Sequence, residues 1–345
     1  MLFFVFLSGG LFLGWSLGAN DTSNIFGTAV GSRMIKFKTA AIIAAIFVVV
    51  GSVVQGISGA ETLNKLSSVT TLSGAFMVSL CSALIVYWMT KRALPVSTSQ
   101  AIVGAIIGWS FYAGINPNYS TMIEIALTWI SSPILGMIIS AMLYLIIREI
   151  VNRSKIHVVM LNLITRYGLI VIGAFGAYSL GANNIANVIG VFIPSAPDLS
   201  FNLGFIKIST TDTLLFLGGL SISVGIISYG EHVMNKIGKE IMFLTPEIAF
   251  IVVLSQSLVL FIFSSKELSL LLSYVGISIP QVPISSTHAV IGSILGIGLI
   301  KKGREVNFRV VKQIVLGWIF TPIVAAIITY IMLFFAQNVF KLNVY

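Results

Sequence analysis

The chain has 345 residues, of which 57% are hydrophobic and only 9% are charged. Soluble domains carry about 25% charged residues, so this composition excludes an ordinary soluble protein and indicates a polytopic membrane protein. The single cysteine, Cys81, excludes a disulfide framework and a cysteine-based metal site. The net charge of +9 does not indicate a nucleic-acid partner, because most of the basic residues lie in loops on one side of the predicted membrane.

Ten stretches of 18 or more residues contain no charged residue apart from Asp21, and each is long enough for a membrane helix of about 20 residues. In chain order they are 1–32, 39–60, 66–90, 93–123, 125–147, 167–197, 213–230, 248–265, 268–300 and 313–340. Four of them exceed 30 residues, namely 1–32, 93–123, 167–197 and 268–300. Because one crossing needs fewer residues, we expect each of these four to contain a span and a re-entrant or broken half-helix.

Polar and helix-breaking residues occur in these same four stretches. The first contains Gly18-Ala-Asn-Asp-Thr-Ser-Asn24, which returns as Gly181-Ala-Asn-Asn-Ile-Ala-Asn187. A second pair consists of Pro95-Val-Ser-Thr-Ser-Gln100 and Pro283-Ile-Ser-Ser-Thr-His288. Irregular backbone at membrane depth is tolerated only where it lines a cavity or is buried in protein. Its occurrence once per half predicts a transporter binding site.

The paired motifs predict an internal duplication. The first motif recurs after 163 residues and the second after 188, which implies an insertion in the second copy, near 193–211. Each copy contains five stretches, an odd number, so the two copies must face opposite ways across the membrane. We therefore predict an all-α polytopic membrane protein with two inverted repeats of about five crossings each and about 10–12 helical elements. The predicted parts are a first repeat at 1–147, a linker at 148–166 and a second repeat at 167–345.

The basic residues predict the orientation of the chain. Alternating the ten stretches across the bilayer places 16 of the 20 Lys and Arg residues on one side. The opposite side holds only Lys65, Lys207, Lys266 and Lys341. The positive-inside rule then predicts a multi-pass protein of the cell membrane, with the lipid bilayer as partner, both termini outside and 148–166 in the cytoplasm. The first stretch lacks a basic region before it and is predicted to be a retained span.

Asp21 is the only charged residue inside any of the ten stretches. An intramembrane carboxylate marks an ion or proton path by default, although a protonated or snorkelling Asp near a helix end is an alternative. Asn and Asp oxygens, together with freed backbone carbonyls, form a site for a hard cation such as sodium. The candidate sodium ligands are Asn20, Asp21, Asn24, Asn183, Asn184 and Asn187.

The two Pro-Ser elements predict helix starts suited to an anion. First-turn N–H groups and the helix dipole bind anions without a side-chain cation, although the hydroxyls could instead be simple helix caps. The candidate oxyanion-binding residues are Ser97, Thr98, Ser99, Gln100, Ser285, Ser286, Thr287 and His288. His288 occupies the place of Gln100 and could sense protonation of the oxyanion or act only as a hydrogen-bonding group. Because no stretch contains Lys or Arg, cations must enter with the anion, which favours symport.

The Gly18 and Gly181 motifs and the two Pro-Ser elements resemble the inorganic phosphate transporter (PiT) family over essentially the whole chain. The resemblance implies a secondary active transporter that imports inorganic phosphate together with sodium or protons, sodium being favoured. It places phosphate near the Pro-Ser elements and the cation near the Asn and Asp motifs. It also implies a homodimer, and no cofactor other than the co-transported cation.

Three positions depart from the family pattern. Asn184 stands where members often have Asp, while Val48 and, by alignment, Val253 stand where they commonly have Glu. Fewer acidic groups leave proton coupling, and transport of sulfate or another oxyanion, as alternatives. A channel is disfavoured because no charged ring is present. An intramembrane hydrolase using Ser285 or Ser286 with His288 is disfavoured because the chain places no separate base or orienting group. The protein is therefore predicted not to be an enzyme.

Overall fold

The computed structural model describes residues 2–66, 69–92, 96–154, 156–202, 207–237, 245–303 and 306–345. The α-helices in this part of the chain are α1 (Leu2–Gly31), α2 (Phe37–Gln55), α3 (Ile57–Leu66), α4 (Leu72–Lys91), α5 (Thr98–Ala113), α6 (Tyr119–Ser154), α7 (Val158–Ile189), α8 (Thr210–Ile237), α9 (Pro246–Ser264), α10 (Lys266–Ser273), α11 (Ser286–Ile300) and α12 (Phe308–Asn338). A 3₁₀ helix at Gly190–Ser195 extends α7. Strands β1 (Phe201–Asn202) and β2 (Lys207–Ile208) then pair antiparallel before α8.

Eight of the described helices are long and apolar enough to cross a membrane, namely α1, α2, α4, α6, α7, α8, α9 and α12. They account for eight of the ten predicted stretches. The other two, 93–123 and 268–300, contain α5 and α11, which have 16 and 15 residues. Such helices are about 24 and 22 Å long, shorter than the hydrocarbon core. The protein is therefore an all-α polytopic membrane protein. Each of these two stretches contains a half-helix as predicted, but the full span expected beside it is not found among the described residues.

The expected breaks in 1–32 and 167–197 are wrong, because α1 and α7 run without interruption through their polar motifs. Small polar side chains there bond the carbonyls of their own helix: Thr22 donates to Gly18, and Ser23 to Asn20. The motifs are also buried in protein and not in lipid. Tertiary contacts therefore override the low helix propensity of these residues.

The segment predicted as a linker, 148–166, is also largely helical. Helix α6 continues to Ser154 and α7 begins at Val158, while Lys155 lies outside the described residues. The side chain of His157 caps α7 by accepting a hydrogen bond from the backbone N–H of Val159 at 3.3 Å. The predicted linker thus contains the end of α6 and the start of α7.

Helix contacts in the first half recur in the second. Helix α1 packs along α8, and its counterpart α7 packs along α2. Both contacts bring backbones together at a motif glycine: any side chain at Gly18 would collide with the backbone of Ile222, and one at Gly181 with that of Val48. Because Gly18 and Gly181 are equivalent motif positions, α2 corresponds to α8 and each half packs into the other.

The same relation holds for the half-helices. Helix α5 packs along α12 and α11 packs along α6. Gly104 of α5 contacts the backbone of Pro322, and its counterpart Gly292 of α11 contacts that of Pro133. Each half-helix is therefore held by the last long helix of the other half.

These contacts correct one sequence assignment. The residue of the second half that corresponds to Val48 is Ile222, since each packs on the other half's motif glycine. Val253 lies in α9, which packs on α7 as α4 packs on α1. The matching glycines of α2 and α8, Gly51 and Gly225, are 174 residues apart, an offset between the 163 of the first motif pair and the 188 of the second. Only part of the predicted insertion therefore lies before α8, in the region that contains β1 and β2.

Both ends of the chain lie at the same end of the molecule. Ser73, at the start of α4, and Trp109, late in α5, donate hydrogen bonds to the tail carbonyls of Asn343 and Val344, respectively. Near the N-terminus, the ring of Phe6 contacts that of Phe76 at 5.7 Å between centroids. Consequently α4 and α5 run in opposite directions, and α5 begins deep in the protein and ends near both termini.

Candidate functional site

The site is built around the N-terminal ends of α5 and α11. Ser97 caps α5 by accepting a hydrogen bond from the N–H of Gln100 at 3.3 Å, and Ser285 caps α11 by accepting one from His288 at 3.2 Å. Both serines are buried. The helix starts thus form where the Pro-Ser elements predict them, and these two hydroxyls serve as helix caps. Pro95 lies outside the described residues.

The two helix starts are bonded to each other. Ser99 Oγ donates to the carbonyl of Ile284 at 3.0 Å, and Thr287 Oγ1 donates to the carbonyl of Val96 at 3.0 Å. Ser99 and Thr287 are equivalent positions of the two elements, as are Val96 and Ile284. The pair of bonds is therefore reciprocal, and it joins the two halves of the chain at their polar centre.

Helix α1 brings Asp21 to the start of α11. One carboxylate oxygen of Asp21 accepts a hydrogen bond from Ser286 Oγ at 2.7 Å, and the other accepts one from Asn20 Nδ2 at 2.8 Å. Asn24 Nδ2 also reaches Ser286 Oγ, at 3.3 Å. Within the described residues Asp21 forms no ion pair, since the one ion pair there joins Arg153 and Glu149 on the surface. The carboxylate is held by neutral donors alone.

Helix α7 makes the corresponding contacts from the second half. Asn183 Oδ1 accepts a hydrogen bond from the N–H of Ile284 at 3.0 Å. Asn187 Nδ2 donates to Ser99 Oγ and to Asn184 Oδ1, both at 3.1 Å. Both motif helices therefore contact the half-helix starts directly, and the predicted cation residues lie together with most of the predicted anion residues.

We call this group the central cluster. It consists of Asn20, Asp21, Asn24, Thr98, Ser99, Asn183, Asn184, Asn187, Ser286 and Thr287, with the caps Ser97 and Ser285. Every member is at most 9% exposed. The side chains supply neutral donors, neutral oxygens and a single carboxylate. This composition can hold an oxyanion and a hard cation next to each other.

His288 lies apart from the central cluster. Its Nδ1 is 2.9 Å from the carbonyl oxygen of Trp129 on α6, and its ring centroid lies 3.8 Å from that of Trp318 on α12, with the two rings tilted by 42°. Each residue of a helix turns the side chain by about 100°, so His288 faces away from the side on which Ser286 meets Asp21. The side chain of His288 is thus paired with a backbone carbonyl and with none of the cluster's hydroxyls among the described contacts. The described hydrogen bond of Gln100 is the one that its backbone N–H donates to the cap Ser97.

Two further polar side chains belong next to the site and were not predicted. Gln256 of α9 donates from Nε2 to the carbonyl of Asn24, and Thr90 of α4 donates to Asn20 Oδ1 at 3.3 Å. Gln256 is fully buried in the uncharged, largely apolar stretch 248–265. A buried amide in such a stretch is itself a sequence signal, because an intramembrane polar side chain requires partners.

Some polar atoms in the site or next to it have no hydrogen-bond partner in the part of the chain that the structure describes. They are Thr98 Oγ1, Gln100 Oε1, Asn184 Nδ2, Asn187 Oδ1, Gln256 Oε1 and His288 Nε2. Leaving a buried polar group unpaired costs about 1–3 kcal/mol. Those near the two helix starts are donors and acceptors that a polar ligand could satisfy.

Comparison with known proteins identifies the family. A sequence model of the phosphate transporter family matches residues 17–329. The chain belongs to the phosphate transporter family. This match confirms the resemblance drawn from the four motifs, and with the eight span candidates it makes the protein a multi-pass membrane protein of a transporter family.

Relatives align with this chain along almost its full length. A candidate phosphate permease of Methanocaldococcus jannaschii is 31% identical over 91% of this chain and 91% of its own. One from Pyrococcus horikoshii is 28% identical over 92% of this chain and 94% of its own. A solved structure described as the sodium-dependent phosphate transporter superimposes with a TM-score of 0.74 over 97% of this chain and all of its own, at 24% identity. The last comparison shows the shared fold.

Proposed function

We propose that this protein is a secondary active transporter that imports inorganic phosphate together with a cation, in the first place sodium. The observation that carries the proposal is the 2.7 Å hydrogen bond between Ser286 and Asp21. It places the one carboxylate of the central cluster against a helix start suited to an anion. The relatives named as phosphate permeases, and the structural neighbour described as sodium-dependent, support the choice of substrate and cation.

Phosphate would be bound by the starts of α5 and α11. Each start leaves first-turn N–H groups without partners inside its own helix, and the dipoles of the two helices favour negative charge there. The hydroxyls of Thr98, Ser99, Ser286 and Thr287 add donors from both halves. Ser97 and Ser285 act indirectly, because they fix the helix starts as caps.

Sodium would be bound by oxygens of the Asn and Asp motifs. Asp21 supplies the charge, and the side-chain oxygens of Asn20, Asn24, Asn183 and Asn187 supply neutral ligands of the kind hard cations prefer. No Lys or Arg belongs to the central cluster. Because an anion buried beside a carboxylate is strongly unfavourable, phosphate would enter only when cations accompany it. This requirement couples the two fluxes.

The duplicated contacts support alternating access. We propose that 1–147 and 167–345 act as inverted repeats around the central cluster, with the termini outside and the connection at 148–166 in the cytoplasm. In this arrangement the bonds between Ser99 and Ile284 and between Thr287 and Val96 lie on the pseudo-two-fold axis. Movement of one repeat against the other would expose the cluster to each side in turn.

Phosphate uptake into proteoliposomes tests the proposal. Purified protein is reconstituted, and radiolabelled phosphate uptake is measured with an inward sodium gradient and an inward proton gradient imposed separately. We expect saturable uptake that requires the sodium gradient and that excess sulfate does not suppress. Uptake driven only by a proton gradient would show that the coupled cation is the proton and not sodium. Suppression by sulfate would show that the site does not select phosphate over sulfate. A conductance without saturation would replace the transporter by a channel.

A further inference from the structure

The central cluster is two-fold related in position but not in charge. By the offsets that match the motifs, Asp21 corresponds to Asn184 and Ser286 corresponds to Thr98. Asp21 accepts a hydrogen bond from Ser286 at 2.7 Å. At the corresponding place, Asn184 Nδ2 and Thr98 Oγ1 have no hydrogen-bond partner among the described residues, although these residues are only 1% and 2% exposed.

Asn184 has one side-chain group without a partner among the described residues. Its Oδ1 accepts a hydrogen bond from Asn187 Nδ2 at 3.1 Å. The group without a partner is the amide NH₂, which donates hydrogen bonds. The hydroxyl of Thr98 can also donate. The half of the cluster around Asn184 therefore presents donors to a ligand, whereas the half around Asp21 presents negative charge.

This asymmetry bears on how many cations accompany phosphate. Each buried negative charge must be neutralised for the loaded protein to be stable. A carboxylate at Asn184, like that of Asp21, would add one negative charge and so require one more cation in the loaded state. Asparagine at this position removes that requirement and leaves the N–H group for an anion oxygen.

We propose that Asn184 sets the coupling ratio of this transporter. It lowers the number of cations moved with each phosphate by one relative to a site with two carboxylates, and its amide donates to a phosphate oxygen. This inference rests on the proposed phosphate symport.

The test compares wild type with Asn184→Asp in proteoliposomes whose membrane potential is clamped at zero. For a series of sodium gradients, the phosphate gradient that stops net flux is measured. The slope of the logarithm of the phosphate ratio against that of the sodium ratio gives the number of sodium ions per phosphate. We expect the slope in Asn184→Asp to exceed that of wild type by about one, because one more charge must be neutralised. Equal slopes overturn the inference.

Two further variants separate charge from hydrogen bonding. Asn184→Ala removes the amide without adding charge, so the slope should stay that of wild type while the phosphate constant rises roughly tenfold or more. The double variant Asp21→Asn/Asn184→Asp keeps one carboxylate and should regain the sodium-coupled uptake that Asp21→Asn loses. If Asn184→Asp does not insert into the membrane, an Asn184→Ala protein that binds phosphate like wild type overturns the inference. Absence of cation-driven phosphate uptake in wild type would instead contradict the proposed function.

Discussion

Ser99 donates a hydrogen bond of 3.0 Å to the carbonyl oxygen of Ile284, a residue 185 positions away in the other half of the chain. Its counterpart Thr287 returns an equivalent bond to Val96. Each half-helix thus holds the extended segment that leads into the other. Because the same hydroxyls are candidate ligands of phosphate, binding of the anion and the contact between the two halves use the same atoms. In the proposed mechanism, a change of access and a change of occupancy would therefore be coupled at these two residues.

Asp21→Asn is expected to abolish cation-driven uptake while leaving the protein folded. The amide is nearly isosteric with the carboxylate and can still accept from Ser286, but it removes the only charge of the central cluster. Uptake under sodium and proton gradients, and the elution profile of the purified protein, measure the two effects. Wild-type cation dependence in this variant would exclude Asp21 from coupling.

The orientation of the chain can be tested by cysteine labelling. In a background where Cys81 is replaced, cysteines at Tyr274 and at Ser154 should react with membrane-impermeant maleimide from opposite sides, Tyr274 from outside. Tyr274 is 86% exposed, and Ser154 at the end of α6 is exposed as well. Labelling of both positions from one side of the membrane would contradict the arrangement of five crossings per half.

Gly18→Ala is expected to destabilise the protein more than Gly27→Ala. Both glycines lie in α1, but a methyl group at Gly18 would collide with the backbone of Ile222, whereas at Gly27 it would meet only ordinary contacts. Overpacking of this kind costs typically about 1–3 kcal/mol. Thermal unfolding in detergent compares the two variants, and Gly181→Ala, which meets the backbone of Val48, should behave like Gly18→Ala. Equal stability of all three proteins would show that these helix contacts relax freely.

The sequence predicts the half-helices well because their signals are local. Pro283 and the cap Ser285 mark the start of α11 within one residue, as Ser97 does for α5. It fails at α1, where Asn20 to Asn24 indicate a break, because partners such as Ser286 and Gln256 come from distant segments. A single sequence cannot show that these distant residues form hydrogen bonds with α1. For the same reason it cannot show that Ile222 is the counterpart of Val48.

The individual site residues were predicted as two groups, and the structure joins them. Asp21 and Ser286 lie 265 positions apart in sequence, and nothing in the spacing of the motifs indicates that they touch. His288 was grouped with its neighbours because it follows them in sequence. The helical turn places its side chain against Trp129 and Trp318. Side chains of one sequence motif can therefore point in different directions.

The hydroxyls of the two helix starts should contribute to phosphate affinity in matched pairs. Thr98→Ala and Ser286→Ala remove equivalent donors from the two halves. Losing one hydrogen bond to a charged group costs about 1.5–3 kcal/mol, so each variant should raise the apparent phosphate constant roughly ten- to a hundredfold. Phosphate uptake at saturating sodium measures the constant.

Ser97→Ala and Ser285→Ala are the matched controls for these two variants. Their hydroxyls cap α5 and α11, so their loss should lower thermal stability by about 0.5–2 kcal/mol and change phosphate affinity less than the loss of Thr98 or Ser286 does. Normal phosphate affinity in Thr98→Ala together with a large loss in Ser286→Ala would contradict a shared site, since only the start of α11 would then contact the anion. Losses of similar size in both variants, with intact insertion, are what a phosphate held between the two helix starts requires.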